Sequence, residues 1–242
     1  MLALFLRPLR QALTESYVKQ GLASFTVLLM IGGVIGASLI YASLRLGRPP
    51  TTIIKALYLI LTACLSLLYA VGLVLLALSK WLSWKFSTLL AMTCWSFLMV
   101  AGITLPHRWS TVLLSSLTAP LVALIPLSWL VVLVSLASLL DVMMFKLRVL
   151  ERLSSWAEEQ GVKGIAYVSS GVQVGFGDLA LTGGVVLRSL SEGFLAFTLV
   201  SVALALGLFL GLSKLAEERA LPGILLTTAP CTAAMAVAIY LA

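Results

Sequence analysis

The chain has 242 residues, 61% of them hydrophobic and only 10% charged, with 16 Lys and Arg against 9 Asp and Glu for a net charge of +7. Soluble globular proteins carry about 25% charged residues, so this composition excludes a water-soluble domain and points to an all-α, polytopic transmembrane helix bundle. The positive balance does not indicate nucleic acid. Its cations flank apolar runs (Arg45 and Arg48, Lys80 and Lys85, Lys146 and Arg148, Lys214 and Arg219), where they read as lipid-headgroup and orientation signals.

Residues 1–20 set Leu2, Phe5, Leu6, Leu9 and Leu13 on one helical face and Arg7, Arg10 and Gln11 largely on the other. That pattern predicts an amphipathic helix lying at the membrane surface, with no cleavable signal sequence. A first span is expected over 22–44, closed by Gly47-Arg48-Pro49-Pro50, and a second over 53–79. Trp81, Trp84 and their flanking lysines suit an interface, and a third span follows over 86–105, stopping at Pro106-His107-Arg108-Trp109. The apolar stretch 110–145 would be about 54 Å long as one straight helix, too much for one crossing. Pro120 and Pro126 offer breaks, and the expectation is a short span over 111–125 and another over 128–145. The polar connection 146–164 keeps a helical stripe of Leu147, Leu150, Leu153 and Ala157 into which the preceding helix can continue. Spans over 168–190, 194–212 and 221–241 complete a count of about seven to eight. The chain thus divides into an interfacial segment 1–20, N-terminal membrane helices 21–127 and a C-terminal set 128–242.

Positive charge sets the orientation. Lys146, Arg148, Arg152 and Lys163 lie in the 146–164 loop and Lys214 and Arg219 in the last connection, with Arg188 alone in the turn between. Loop 146–164 is therefore expected on the cytoplasmic side and the C-terminus on the outer face. Seven crossings place the N-terminus inside and eight place it outside.

Two acidic residues stand apart from the rest. Glu15, Glu151, Glu158, Glu159, Glu192, Glu217 and Glu218 fall in polar segments or at helix ends, whereas Asp141 and Asp178 lie inside apolar spans with no Lys or Arg there to neutralise them. Ionisable groups at bilayer depth cost several kcal/mol unless paired or wetted, and default to a functional reading. Both lie near the cytoplasmic ends of neighbouring antiparallel spans, at similar depth. Paired carboxylates in a confined space share a proton and activate water. Asp178 ends the run Gly175-Phe176-Gly177-Asp178, whose glycines allow close backbone approach and local unwinding. The competing readings are helix packing for the glycines and pairing of Asp141 with Lys146 or Arg148. Cys64, Cys94 and Cys231 read as small hydrophobes, and the lone His107 lacks partners for a metal site or a serine triad.

An Asp late in one membrane helix, G-x-G-D early in the next and Ala-Leu-Pro at the start of the last resembles the presenilin and signal-peptide-peptidase family. Here these are Asp141, Gly175-Phe176-Gly177-Asp178 and Ala220-Leu221-Pro222, within residues 128–242. The resemblance implies a presenilin-like bundle and an intramembrane aspartyl protease with Asp141 and Asp178 catalytic. It further implies that Gly175, Phe176, Gly177, Ala220, Leu221 and Pro222 shape the site or bind substrate, that transmembrane peptides in the lipid bilayer are the substrates, and that no metal or cofactor is needed. Leu140 stands where the family has Tyr, Arg219 where it has Pro, and the family's nine spans exceed the number here. A prepilin-type G-x-G-D leader peptidase is a weaker fit, because that motif comes earlier in those chains. A proton-coupled transporter or channel subunit using the two aspartates as a relay would predict helical repeats, which the sequence does not show. A silent membrane scaffold would tolerate Asp-to-Asn changes. Oligomeric state leaves no local signature.

Overall fold

A computed structural model of the chain describes residues 51–70, 83–147, 166–169, 172–215 and 223–241, together with helical positions scattered between 27 and 43. The expectations for residues 1–20, for Ala220-Leu221-Pro222 and for the loop from 148 to 164 lie outside the described residues. The rest is almost entirely helical: α1 (Thr51–Tyr69), α2 (Trp84–Thr104), α3 (His107–Leu124), α4 (Leu127–Lys146), α5 (Phe176–Glu192), α6 (Phe194–Leu215) and α7 (Ala229–Leu241), with a π-helical turn over Ile224–Thr228 leading into α7. Four helical segments, Trp84–Thr104, Leu127–Lys146, Phe194–Gly211 and Ile224–Leu241, are long and apolar enough to cross a membrane. Their outward faces carry side chains such as Phe97 and Phe209, about 70% exposed, as a lipid-facing surface requires.

Prolines set the helix boundaries where the backbone lacks a donor. Pro106 and Pro126 are the N-caps of α3 and α4, positions at which a missing N–H costs nothing. The long apolar stretch therefore splits at Ile125-Pro126, as its length demands, while Pro120 is carried inside α3. The Ser110 hydroxyl closes the two-residue α2–α3 turn by donating to the carbonyls of Leu105 (3.0 Å) and Pro106 (3.2 Å). α4 stops at Lys146, so the stripe seen beyond it in the sequence does not prolong this helix without a break.

One expectation needs correction. The span predicted over 168–190 begins only at Phe176, because Ala166–Ser169 and Val172–Gly175 pair as an antiparallel hairpin, Ala166 opposite Gly175 and Ser169 opposite Val172. Tyr167, Val168, Val172 and Val174 are residues that strands favour, and a short apolar run of this kind reads equally well as helix or strand from its periodicity.

α3 is the spine of the bundle. Its Leu114 and Leu117 join Leu65 of α1 in one buried cluster. Val122, together with Ile125 just beyond the helix, joins Leu130, Val134, Val185, Val200, Cys231 and Met235 in the other. Its most extensive partner is α5, and β1 packs on it as well. Gly184 of α5 makes this approach feasible, since a methyl there would overlap the Val122 side chain and come within 2.9 Å of the Ala119 carbonyl. A second correction concerns Arg188. It is not a turn charge but a residue of α5, only 7% exposed, which donates to the Ile125 carbonyl at the α3–α4 break and lies 3.4 Å from the Glu192 carboxylate. It sits about 15 Å along the helix from Asp178, too far to neutralise it.

Gly184→Val overpacks the α3–α5 seam and should cost about 1–3 kcal/mol, read as a lowered thermal midpoint of the purified protein in detergent. Gly211→Ala, whose added methyl meets only Leu226 at 3.9 Å, should leave the midpoint unchanged or raise it.

Candidate active site

The two aspartates arrive from different helices and meet consecutive residues of a third segment. Asp141 lies in the last two turns of α4, and its Oδ2 accepts a hydrogen bond from the Ile224 N–H at 3.1 Å, with the Leu225 N–H as a further backbone donor. Ile224 opens the π-helical turn, directly after the helical Gly223. Among the described residues no ion pair joins Asp141 to Lys146, which is exposed. Arg148, the other partner considered for Asp141, lies outside the described residues.

Asp178 occupies the first turn of α5, three residues after its N-cap Gly175. Its Oδ2 accepts from the Gly175 N–H at 3.3 Å, which is the carboxylate half of a capping box. Gly175 is also the last residue of β2, so the hairpin fixes the cap and the cap fixes the carboxylate. On its other side Asp178 faces Gly223, where a Cβ would stand only 2.8 Å from the carboxyl carbon. Only glycine lets the backbone pass this close. Asp178 is thus clasped between Gly175 and Gly223, Asp141 is held by the next residue, Ile224, and the two carboxylates act on each other electrostatically.

Of the residues singled out from sequence, the fold therefore brings together Asp141, Asp178 and Gly175. Phe176 packs against the cluster of Leu65, Leu114 and Leu117 and anchors the start of α5 on α1 and α3. Gly177 has open space where a side chain would be, so backbone is accessible there. Gly223 and Ile224 carry no chemistry in their side chains and were not singled out. Their signal was the Pro222-Gly223 dipeptide immediately after Ala220-Leu221, a pairing that punctuates helices.

Among the described residues, the donors that reach the carboxylates are backbone N–H groups. Such a site can hold a proton between two oxygens and orient a water, which is acid–base chemistry. No protein-family model, curated protein or solved structure matches the chain.

Asp141 and Asp178 are the only aspartates in the chain, so labelling aspartate with carbon-13 at its side-chain carboxyl yields signals from this site alone. Gly223→Ala should displace the Asp178 carboxylate and shift its resonance clearly, whereas Gly177→Ala, with room for its methyl, should move the signals far less.

Proposed function

We propose that the chain is an intramembrane aspartyl protease of the presenilin and signal-peptide-peptidase type, hydrolysing peptide bonds within or near transmembrane segments. One observation carries this reading: carboxylates from two separate helices converge on the consecutive residues Gly223 and Ile224 of a third. A transmembrane bundle gains nothing in stability from isolated carboxylates, so two of them brought to one point by three elements are read as a working pair.

In this mechanism the pair holds one proton. The ionised carboxylate takes a proton from a water while the water oxygen bonds to the scissile carbonyl carbon. The protonated carboxyl donates its proton to the carbonyl oxygen, giving a neutral gem-diol. Collapse of that intermediate breaks the C–N bond, with a proton delivered to the leaving amine and the pair restored to its one-proton state. The protons belong to the coupled pair rather than to either residue. No metal or cofactor takes part.

The finer architecture belongs to the same proposal: about seven to eight spans in a presenilin-like bundle, loop 146–164 in the cytoplasm and the C-terminus on the outer face. Burial of Arg188 within α5 supports the orientation, because it removes the only cation from the turn that follows and sharpens the charge contrast between the two sides.

The test is cleavage of a single-span peptide by purified protein in lipid. Asp141→Asn and Asp178→Asn keep the size and the hydrogen-bond acceptor at each site, including the α5 cap, while removing the acid–base function. Each should lower the rate by about 10²–10⁴-fold or more with little change in thermal midpoint. Full activity in either variant rejects the assignment. Proton flux through lipid vesicles that is abolished by both substitutions, without cleavage by the wild type, would favour a relay instead.

The rate of the wild type should trace a bell against pH. The acidic limb falls as the pair takes up its second proton and loses the base, and the alkaline limb falls as it loses its only proton and with it the acid. A profile with one limb would contradict a shared-proton dyad.

A further inference from the structure

One turn beyond the carboxylates lies a set of hydroxyls that the reaction itself does not use. Thr182 follows Asp178 by four residues on the same face of α5, and Thr227 and Thr228 follow Gly223 and Ile224 by four residues in the π-helical turn. The Thr182 Oγ1 lies 2.8 Å from that of Thr228 and 3.3 Å from that of Thr227. The Thr227 hydroxyl in turn donates to the Gly223 carbonyl at 2.8 Å. Asp178 meets Gly223 and Thr182 meets Thr227 at the same sequence offset, so α5 and the final segment run side by side in one register across both levels.

The hydrogens can be followed. Since the Thr227 hydrogen is committed to Gly223, Thr182 donates to Thr227 and accepts from Thr228, an order that uses each hydrogen once. The result is a directed chain, Thr228 to Thr182 to Thr227 to the Gly223 carbonyl, in which each bond polarises the next. It ends on the residue against which Asp178 rests. Thr228 is fully buried and Thr182 partly buried.

We propose that this hydroxyl chain, with Thr182 at its centre, is the positioning device that holds Gly223 and Ile224 in register with α5 and so sets the separation of the two carboxylates. Thr182 and Thr228 are positioning residues, acting through the Gly223–Ile224 backbone. Both partners of Thr182 lie in the π-helical turn, a form that occurs mostly as single turns inside α-helices and often at functional sites. This inference rests on the protease reading for its kinetic consequence but not for its geometric one.

The test uses full-length protein in lipid with aspartate labelled with carbon-13 at the carboxyl, which reports only Asp141 and Asp178. Thr182→Val, equal in shape but lacking the hydroxyl, should shift the carboxyl resonances. It should also lower kcat on a single-span peptide by about 10- to 100-fold with KM close to that of the wild type. Thr182→Ser should restore both. Thr198→Val, on the exposed face of α6, should change neither. If Thr182→Val does not fold, Thr228→Val against Thr228→Ser asks the same question from the partner side. Unshifted carboxyl resonances in the valine variants overturn the proposal, as does a loss confined to KM. If wild-type protein cleaves nothing, the protease reading fails, and the carboxyl resonances alone decide whether the hydroxyl chain positions the pair.

Discussion

A carboxylate withdrawn from water into an apolar bundle has to be given replacement donors, and among the described residues those donors are backbone N–H groups. Gly175 caps α5 and serves Asp178, and Ile224 opens the π-helical turn and serves Asp141. Basic side chains would have neutralised the pair outright. Backbone donors stabilise a negative charge without supplying a full positive one. The location of the site then follows from where α5 begins, at Phe176, and from where the final segment passes it, at Gly223 and Ile224.

The requirement that these two places coincide explains much of the remaining packing. α3 touches α1, β1 and α5, and through Ile125 it reaches the core of the C-terminal helices. Phe176 locks the start of α5 into the α1–α3 cluster, and Arg188 ties the far end of the same helix to the Ile125 carbonyl at the proline break. α5 is thereby fixed at both ends. A helix carrying a half-buried carboxylate in its first turn cannot be allowed to slide, because a shift of one residue would carry Asp178 away from both of its glycines.

The last helix is held differently. It enters through a π-helical turn, a form that is rarely used without a functional reason. The extra residue brings two consecutive threonines, Thr227 and Thr228, within reach of Thr182. The same turn that carries these threonines begins beside Gly223, which lies against Asp178.

Much of this was legible in the sequence. The membrane setting follows from composition, the break at Pro126 follows from a stretch too long for one crossing, and the two aspartates stand out because nothing else acidic lies inside an apolar run. These are local or one-dimensional facts, and physics acts on them without knowledge of the fold. The hairpin at 166–175 was not legible, because a short apolar segment rich in Val and Tyr satisfies the patterns of both strand and helix. Arg188 misled for a related reason: a charge near a helix end looks like a loop charge until a partner such as the Ile125 carbonyl, 63 residues away, is brought to it. Gly223, Ile224 and Thr182 were invisible as site residues because their contribution is backbone approach and register. The sequence by itself determined that two carboxylates would lie within apolar segments of a helical membrane protein. Only the tertiary structure decided that they would meet the consecutive residues Gly223 and Ile224, since that depends on how three helices pack, and the packing is settled by contacts between residues far apart in the chain.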